Sequence, residues 1–291
     1  MTTTTGSSES NYKIGVDIGG AKISAVLLRR QEVVESCRLA TPTDNLNNFL
    51  NIFRAVIAPL IERAATDKTN IDFLGVGVPG TVNARAGRIF NCANLPILND
   101  VKLLNKLRDD LKLSWTLKLN NDVNCFTLAE ARLGAGVGYD NVFGFTLGTG
   151  IGGGWCLNGQ IYQGAHGNAG EIGGMLIDLD KKITLEEAYK KLTQNNPRLL
   201  AQEAYEGDVL AEKSFQELGA YLGLALANVV NVLDPAVIVV GGGASAASDL
   251  FLNIARKTMK KHLRSAEAKK TVLTQSKLGD NAGAIGAALI K

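Results

Sequence analysis

Between Gly144 and Gly174 the chain places 12 of its 32 glycines, in the run GFTLGTGIGGGWCLNGQIYQGAHGNAGEIGG. Glycine lets a backbone turn sharply, or approach another group where a Cβ would intervene. Something therefore lies close against this stretch. Its centre, Leu147-Gly148-Thr149-Gly150-Ile151-Gly152-Gly153-Gly154, offers many amide N–H groups with few side chains to shield them, which suits a phosphate or another anion. The spacing predicts strands over Asn141 to Thr149 and Gly153 to Leu157, and Asn158-Gly159 is a type I′ hairpin signal leading into Gln160 to Gln163. That excludes a dinucleotide turn. Gly148, Gly150 and Gly153 do spell G-x-G-x-x-G with Glu171 downstream, but that fingerprint requires a helix directly after the glycines. No G-x-x-x-x-G-K-[ST] occurs, so the chain is not a P-loop protein.

From the start, Lys13 to Leu28 reads as a strand, a Gly-Gly turn and a returning strand with a carboxylate at Asp17, and Glu32 to Ala40 continues the strand pattern. Apolar residues at Phe49, Ile52, Phe53, Val56, Leu60 and Ile61 predict a helix over Leu46 to Thr66. Phe73 to Val78 is a short buried strand that breaks at Pro79-Gly80, and Asn91 to Leu98 is loop. An amphipathic helix is expected over Asn99 to Leu111, with Asp100 in its first turn. A strand, Trp115 to Leu119, delivers Asn120-Asn121-Asp122 to a strand end, and Val123 to Leu133 reads as a helix that closes at Gly134. A polar triplet at such a place is where α/β sheets hold ligands. Later helices are expected over Leu185 to Leu192, Asp208 to Val232, Leu250 to His262 and Ala282 to Ile290, with strands over Ala236 to Val240 and Thr271 to Gln275.

Composition removes other functions. Basic residues exceed acidic ones by only 3 and are scattered, which leaves no nucleic-acid footprint. No apolar run approaches the roughly 20 residues a bilayer span requires. Residues 1–11 are polar, with neither the charged nor the apolar region of a secretory signal, so they are expected to be a disordered tail on a cytoplasmic protein. Cys37, Cys92, Cys125 and Cys156 stand far apart without a C-x-x-C pair, as reduced, buried thiols do.

Setting GVDIGGAKIS (Gly15 to Ser24) beside GFTLGTGIGG (Gly144 to Gly153) shows one device twice: a strand, an Asp or Thr, a glycine turn and a returning strand. Each opens about half of the chain. The expected fold is α/β, two βββαβα halves around a central cleft.

In order along nearly the whole chain, the motifs resemble those of the ROK family (repressors, open reading frames and sugar kinases). DIGGAKIS resembles its first phosphate loop, GVPGTVN its substrate loop, and NNDVNCFTLAE its catalytic segment. LGTGIGGG resembles the second phosphate loop, GNAGEIGG the sugar segment, and DPAVIVVGGG the adenosine segment. The resemblance implies the actin-like, ribonuclease H-like ATPase fold, with a smaller N-terminal domain over residues 12–118, the helix at 282–291 packed back on it, and a larger domain over 119–281. It implies an ATP-dependent hexose kinase, acting on O6 of glucose or a related sugar, with sugar and ATP as partners and a homodimer as one assembly. An N-acetylmannosamine, N-acetylglucosamine or fructose kinase stands beside it, as does a catalytically silent sugar sensor lacking a DNA-binding domain.

On that resemblance Asp122 is the general base, against an ordinary role as a helix N-cap. Asp17 holds Mg²⁺ through water. Gly19, Gly20, Lys22, Gly148, Thr149, Gly150, Gly152, Gly242 and Gly243 contact ATP, with Lys22 equally readable as a surface lysine. Gly80, Asn94, Asn121, Glu171, Glu187 and His166 line the sugar site, although Glu187 also suits a helix start and His166 an idle loop. Two departures from the family pattern stand out. Ala21 replaces a threonine, and Gly174 takes the place of a histidine that, with a later cysteine cluster, binds zinc. No cysteine follows Cys156, so no zinc site is expected.

Overall fold

The computed structural model describes residues 11–84 and 86–291. The tail expected over 1–11 thus lies, apart from Asn11, outside the described residues. Two compact units form, one from the chain through Ala129 together with Asp280–Lys291, the other from Glu130–Gly279.

In the first unit β1 (Tyr12–Ile18), β2 (Lys22–Arg29) and β3 (Glu32–Ala40) make an antiparallel meander, and α1 (Leu46–Thr66) follows. Phe49, Phe53, Val56 and Leu60 recur at helical spacing on the buried face of α1, and the Asn45 side chain caps it by accepting from the Asn48 N–H. β4 (Ile71–Val78) returns parallel to β1. A small hairpin of β5 (Thr81–Asn83) and β6 (Arg88–Phe90) precedes α2 (Leu103–Leu111). The predicted start of α2 at Asn99 moves because residues 100–102 run along β6 instead. The Asp100 N–H donates to the Ile89 carbonyl at 2.9 Å and Asp100 itself is left-handed at φ 62°, so it is not in the helix. β7 (Thr116–Asn121) then pairs parallel with β4, giving the order β3-β2-β1-β4-β7, and α3 (Asp122–Leu133) leaves its end. Because β7 is hydrogen-bonded into this sheet, the division read at residue 118 lies further along, inside α3.

The second unit repeats the plan. β8 (Asn141–Leu147), β9 (Ile151–Leu157) and β10 (Gln160–Ile161) form the meander. The short pair β11 (Leu176–Asp178) and β12 (Ile183–Thr184) leads to helices α4 (Leu185–Leu192), α5 (Pro197–Tyr205) and α6 (Val209–Leu233). β13 (Val237–Gly241) then runs parallel to β8, and after α7 (Leu252–Lys261) β14 (Val272–Gln275) runs parallel to β13. The order β10-β9-β8-β13-β14 matches the first sheet strand for strand, including every direction. The last helix, α8 (Ala282–Ala288), belongs to the first unit, and its small residues let it lie on the sheet. A Cβ on Gly15 of β1 or Gly75 of β4 would run into the carbonyls of Ala284 and Ala287. No helix of the described residues is long and apolar enough to cross a membrane.

Candidate functional site

In the first unit the chemistry gathers where β1, β4 and β7 end. The Asn121 side-chain oxygen accepts from the backbone N–H groups of Val123 at 2.9 Å and Asn124 at 3.1 Å, so Asn121 is the N-cap of α3. Asp122 therefore occupies the first helical position, where its Oδ1 also accepts from the Val123 N–H at 2.9 Å, while the N-cap role itself falls to its neighbour. The Asn121 amide also donates to the Gly80 carbonyl at 3.1 Å, tying the turn after β4 to the helix start. Assigned to the sugar by its motif, Asn121 thus has both ends of its amide in use. Gly80 sits at φ 92°, where a Cβ would come within 2.8 Å of the Phe90 carbonyl oxygen.

Asp17, at the end of β1, faces the same region. Burial first, and the nearby Asp122 carboxylate second, raise its pKa to about 7, against the pull of Lys22 and Arg38. Room for this carboxyl exists because residue 283 is glycine, whose Cβ would lie 2.6 Å from Asp17 Oδ2. Two carboxylates whose charges oppose each other suit a hard divalent cation, which prefers oxygen ligands and relieves that repulsion. The residues present fit the Mg²⁺ assignment.

The turn after β1 is held from both sides. The Gly19 N–H donates to the Lys22 carbonyl at 2.9 Å, the Thr41 hydroxyl donates to the Gly19 carbonyl at 2.7 Å, and the Thr41 N–H to that of Ala21 at 3.1 Å. A Cβ on Gly20 would lie 3.3 Å from that of Asn94, an exposed residue of the following loop. Lys22 Nζ lies 3.0 Å from Asp280 Oδ2, an oxygen it shares with Arg38 at 2.8 Å. Thr41, Arg38 and Asp280 carried no motif and were missed in the sequence.

In the second unit the turn from β8 to β9 is Gly148-Thr149-Gly150, with Thr149 exposed at its tip and the Gly148 N–H donating to the Gly150 carbonyl at 2.9 Å. Two side chains of α4 grip it. Tyr189 donates its hydroxyl to the Gly148 carbonyl at 2.8 Å, and Glu186 Oε2 accepts from the Ile151 N–H at 3.0 Å. Several glycines of this stretch serve the chain itself rather than a ligand. Gly170, at φ 96°, packs on Gly153, and a Cβ on Gly173 would lie 2.7 Å from the Ile151 carbonyl oxygen. Gly148 and Gly174 instead border open space.

A cavity of about 290 Å³ beside the turn is lined by Glu171, Gly173, Gly174, Glu186 and Lys190, among others. Burial and the Glu186 carboxylate push the Glu171 carboxyl above its usual range. Glu187 also borders this cavity, but its carboxylate closes a capping box, accepting from the Thr184 N–H at 2.8 Å and hydroxyl at 3.0 Å, which holds its pKa low. Glu186 is thus the α4 acid turned toward Glu171 and the glycine hairpin. The resemblance assigned Glu187 to the sugar and did not single out Glu186, its neighbour in an equally acidic pair; both border the cavity. His166 is exposed in the loop before Gly167 and does not line the cavity. Lys190 meets Glu186 Oε1 at 2.6 Å.

A second cavity, of about 460 Å³, lies between α5 and the segment after β13, where Arg198, Gln202, Tyr205 and Glu206 face Gly243 and Ala244. Gly242, at φ 84°, packs on Leu147, so this segment and the phosphate-type turn leave neighbouring strands together. α5 went unread, although Asn196-Pro197 is a proper start: the Asn196 side chain accepts from the Leu199 N–H and proline occupies the first turn. Among the described residues no three His, Cys, Asp or Glu side chains stand together as a metal-binding group.

A duplicated five-stranded sheet with a glycine hairpin opening each half is the actin-like ATPase class. The ROK family profile matches residues 13–291, so the chain belongs to the ROK family. An N-acetyl-D-glucosamine kinase of Mannheimia succiniciproducens is 32% identical over 95% of this chain and 98% of its own. The N-acetylgalactosamine kinase AgaK of Shewanella sp. (strain ANA-3) is 31% identical over 95% of each chain. The crystal structure of a ROK family glucokinase from Streptomyces griseus in complex with glucose and AMPPNP covers 96% of this chain and 98% of that one, with a TM-score of 0.78 and 26% identity. Within the family, the chain is a sugar kinase.

Proposed function

We propose that the chain transfers the γ-phosphoryl group of ATP to a hydroxyl of a hexose, O6 of glucose or a related sugar, with Asp122 as general base. The observation that carries this is the cap: the Asn121 side chain accepts from the Val123 and Asn124 amides, so Asp122, the first residue of α3 with Oδ1 on the Val123 N–H, stands beside Asp17 without having to serve as the N-cap. The carboxylate takes the proton of the attacking hydroxyl, and Asn121 fixes its position through Gly80 and the helix start. Asp17 holds Mg²⁺ through water; that ion supplies charge neutralisation at the phosphates when bound.

In the second unit, the amides of the Gly148–Gly150 turn receive phosphate oxygens, kept in shape by Tyr189 and Glu186. The cavity between α5 and Gly243 takes the adenosine, with Tyr205 and Arg198 offering planar surfaces and Gln202 hydrogen bonds. Glu171 and Glu186 accept from sugar hydroxyls. A second reading, an N-acetylhexosamine acceptor, is favoured by the two kinases of such sugars at 31% and 32% identity and by the open space at Gly174, where an acetamido group has room.

The test is purified protein with ATP and Mg²⁺ against glucose, mannose, fructose, N-acetylglucosamine, N-acetylgalactosamine and N-acetylmannosamine. Asp122→Asn is expected to lower kcat roughly 10²–10⁴-fold on the best acceptor. Full activity in that variant refutes the base. Sugar binding by calorimetry without ADP production would instead mark a silent sensor.

A further inference from the structure

The catalytic-type segment NNDVNCFTLAE ends in Glu130, a residue the phosphoryl-transfer reading leaves without a task. Glu130 is fully buried, and it is the one charged side chain among the buried residues described. A carboxylate taken out of water is costly unless its oxygens find donors. Glu130 has four. Its Oε2 accepts from the backbone N–H groups of Ala135 at 2.7 Å and Lys277 at 3.3 Å, and its Oε1 accepts from the Ser276 hydroxyl and from the Leu278 N–H at 3.0 Å. Its backbone carbonyl accepts from Gly134 at 3.1 Å and Gly136 at 2.9 Å, so the turn closing α3 wraps around it. Residue 134 must be small, since a Cβ there would collide with Oε2.

The location gives this cluster its meaning. The chain passes between its two units twice, at Ala129 to Glu130 and at Gly279 to Asp280. Glu130 is the first residue past one crossing, and its partners Ser276, Lys277 and Leu278 lie directly before Gly279, the last residue ahead of the other. Upstream of the first crossing, the same helix begins with Asp122. Downstream of the second lie Asp280, which holds Lys22 and Arg38, and Gly283, which fits against the Asp17 carboxyl.

We propose that Glu130 is a positioning residue that staples the two crossing segments together, so that the helix start bearing Asp122 and the 280–283 segment behind Asp17 are held as one piece. Removing the staple leaves the close packing of Gly286 of α8 against the Cys125 carbonyl of α3 as a remaining tie and lets the segments loosen about it, which misplaces the base against the metal-holding acid. Small misplacements of reacting groups cost rate more than they cost binding. The proposal rests on the kinase reading for its kinetic consequence, but not for its structural one.

The experiment compares Glu130→Gln and Ser276→Ala with the unaltered full chain in two measurements. Glutamine keeps the shape but turns one acceptor into a donor facing N–H groups; Ser276→Ala removes a single donor and is the variant to use if Glu130→Gln does not fold. Hydrogen exchange followed by mass spectrometry is expected to show faster exchange in both 122–129 and 280–288, with β1, β4 and α1 unchanged. Faster exchange in only one segment, or in neither, overturns the staple. In kinetics well below the melting temperature, Glu130→Gln is expected to lower kcat tenfold or more and Ser276→Ala about threefold, with KM for sugar and ATP within threefold. An unchanged kcat alongside faster exchange overturns the positioning role. If the unaltered chain phosphorylates no sugar, the kinase reading fails while the exchange measurement still decides the staple.

Discussion

Replacing Asp17 by asparagine is expected to stabilise the metal-free protein while abolishing phosphoryl transfer. Burial and the Asp122 carboxylate raise the Asp17 pKa from 3.8 to about 7. A carboxyl with a raised folded pKa costs nothing below its unfolded value, where it is protonated in both states. The cost grows as pH rises from about 4 towards 7, because the unfolded chain ionises first, and it is constant above that. At roughly 1.4 kcal/mol per tenfold change in the proton equilibrium, the ceiling is about 4 kcal/mol. The carboxyl is partly open to solvent, so a gain of about 2 kcal/mol at pH 8 is the working figure. Asparagine fills the same space beside Gly283 and carries no charge at any pH. Urea denaturation without metal should therefore find the two proteins alike near pH 4 and the variant more stable at pH 8. Stability curves that stay parallel from pH 4 to pH 8 would refute the argument, since the difference between them must open with the ionisation of Asp17. Such a residue, costly in the empty protein and needed when the site is loaded, is what a trade between stability and activity looks like.

Glu186→Gln should raise sugar KM about tenfold by removing an acceptor beside Glu171, whereas Glu187→Ala should leave sugar KM unchanged and lower only the melting temperature through the lost capping box. Gly20→Val, whose Cβ would press on Asn94 at 3.3 Å, should raise KM for ATP by about tenfold with the fold retained by circular dichroism. Tyr205→Ala should raise KM for ATP roughly tenfold while sugar binding measured by calorimetry stays as it was, because Tyr205 lines only the α5 cavity.

The elements with strong periodicity were legible. Leu46–Thr66 and Leu185–Leu192 form as the spacing predicts, and the two glycine hairpins announced a duplication that the matching strand orders bear out. What the sequence hid were contacts made by residues with no motif of their own. Thr41 holds the first turn through one hydroxyl and one amide, and Asp280 gathers Lys22 and Arg38 from far along the chain. The Glu186 and Glu187 pair shows the limit most clearly: adjacent helix positions differ by about 100° in direction, and only the capping box decides which acid is spent on the helix end. Part of the glycine signal was also shared, since Gly153, Gly170 and Gly173 are small so that the chain can pack on itself.

Duplication explains why the two halves divide the work unequally. Both hairpins leave equivalent strands, yet Asp17 ends the first where Thr146 stands in the second. The first half therefore collects negative charge, Asp17 with Asp122, which repels a phosphate unless a cation offsets it. In the second half the hairpin itself carries no acid, and its amides suit an anion, but α4 brings Glu186 onto the Ile151 N–H. An uncompensated carboxylate there would repel phosphate. Lys190, 2.6 Å from the other oxygen of Glu186, offsets that charge while leaving Oε2 on the backbone. The acid can then shape the turn and meet a sugar hydroxyl without cancelling the affinity of the neighbouring amides for phosphate.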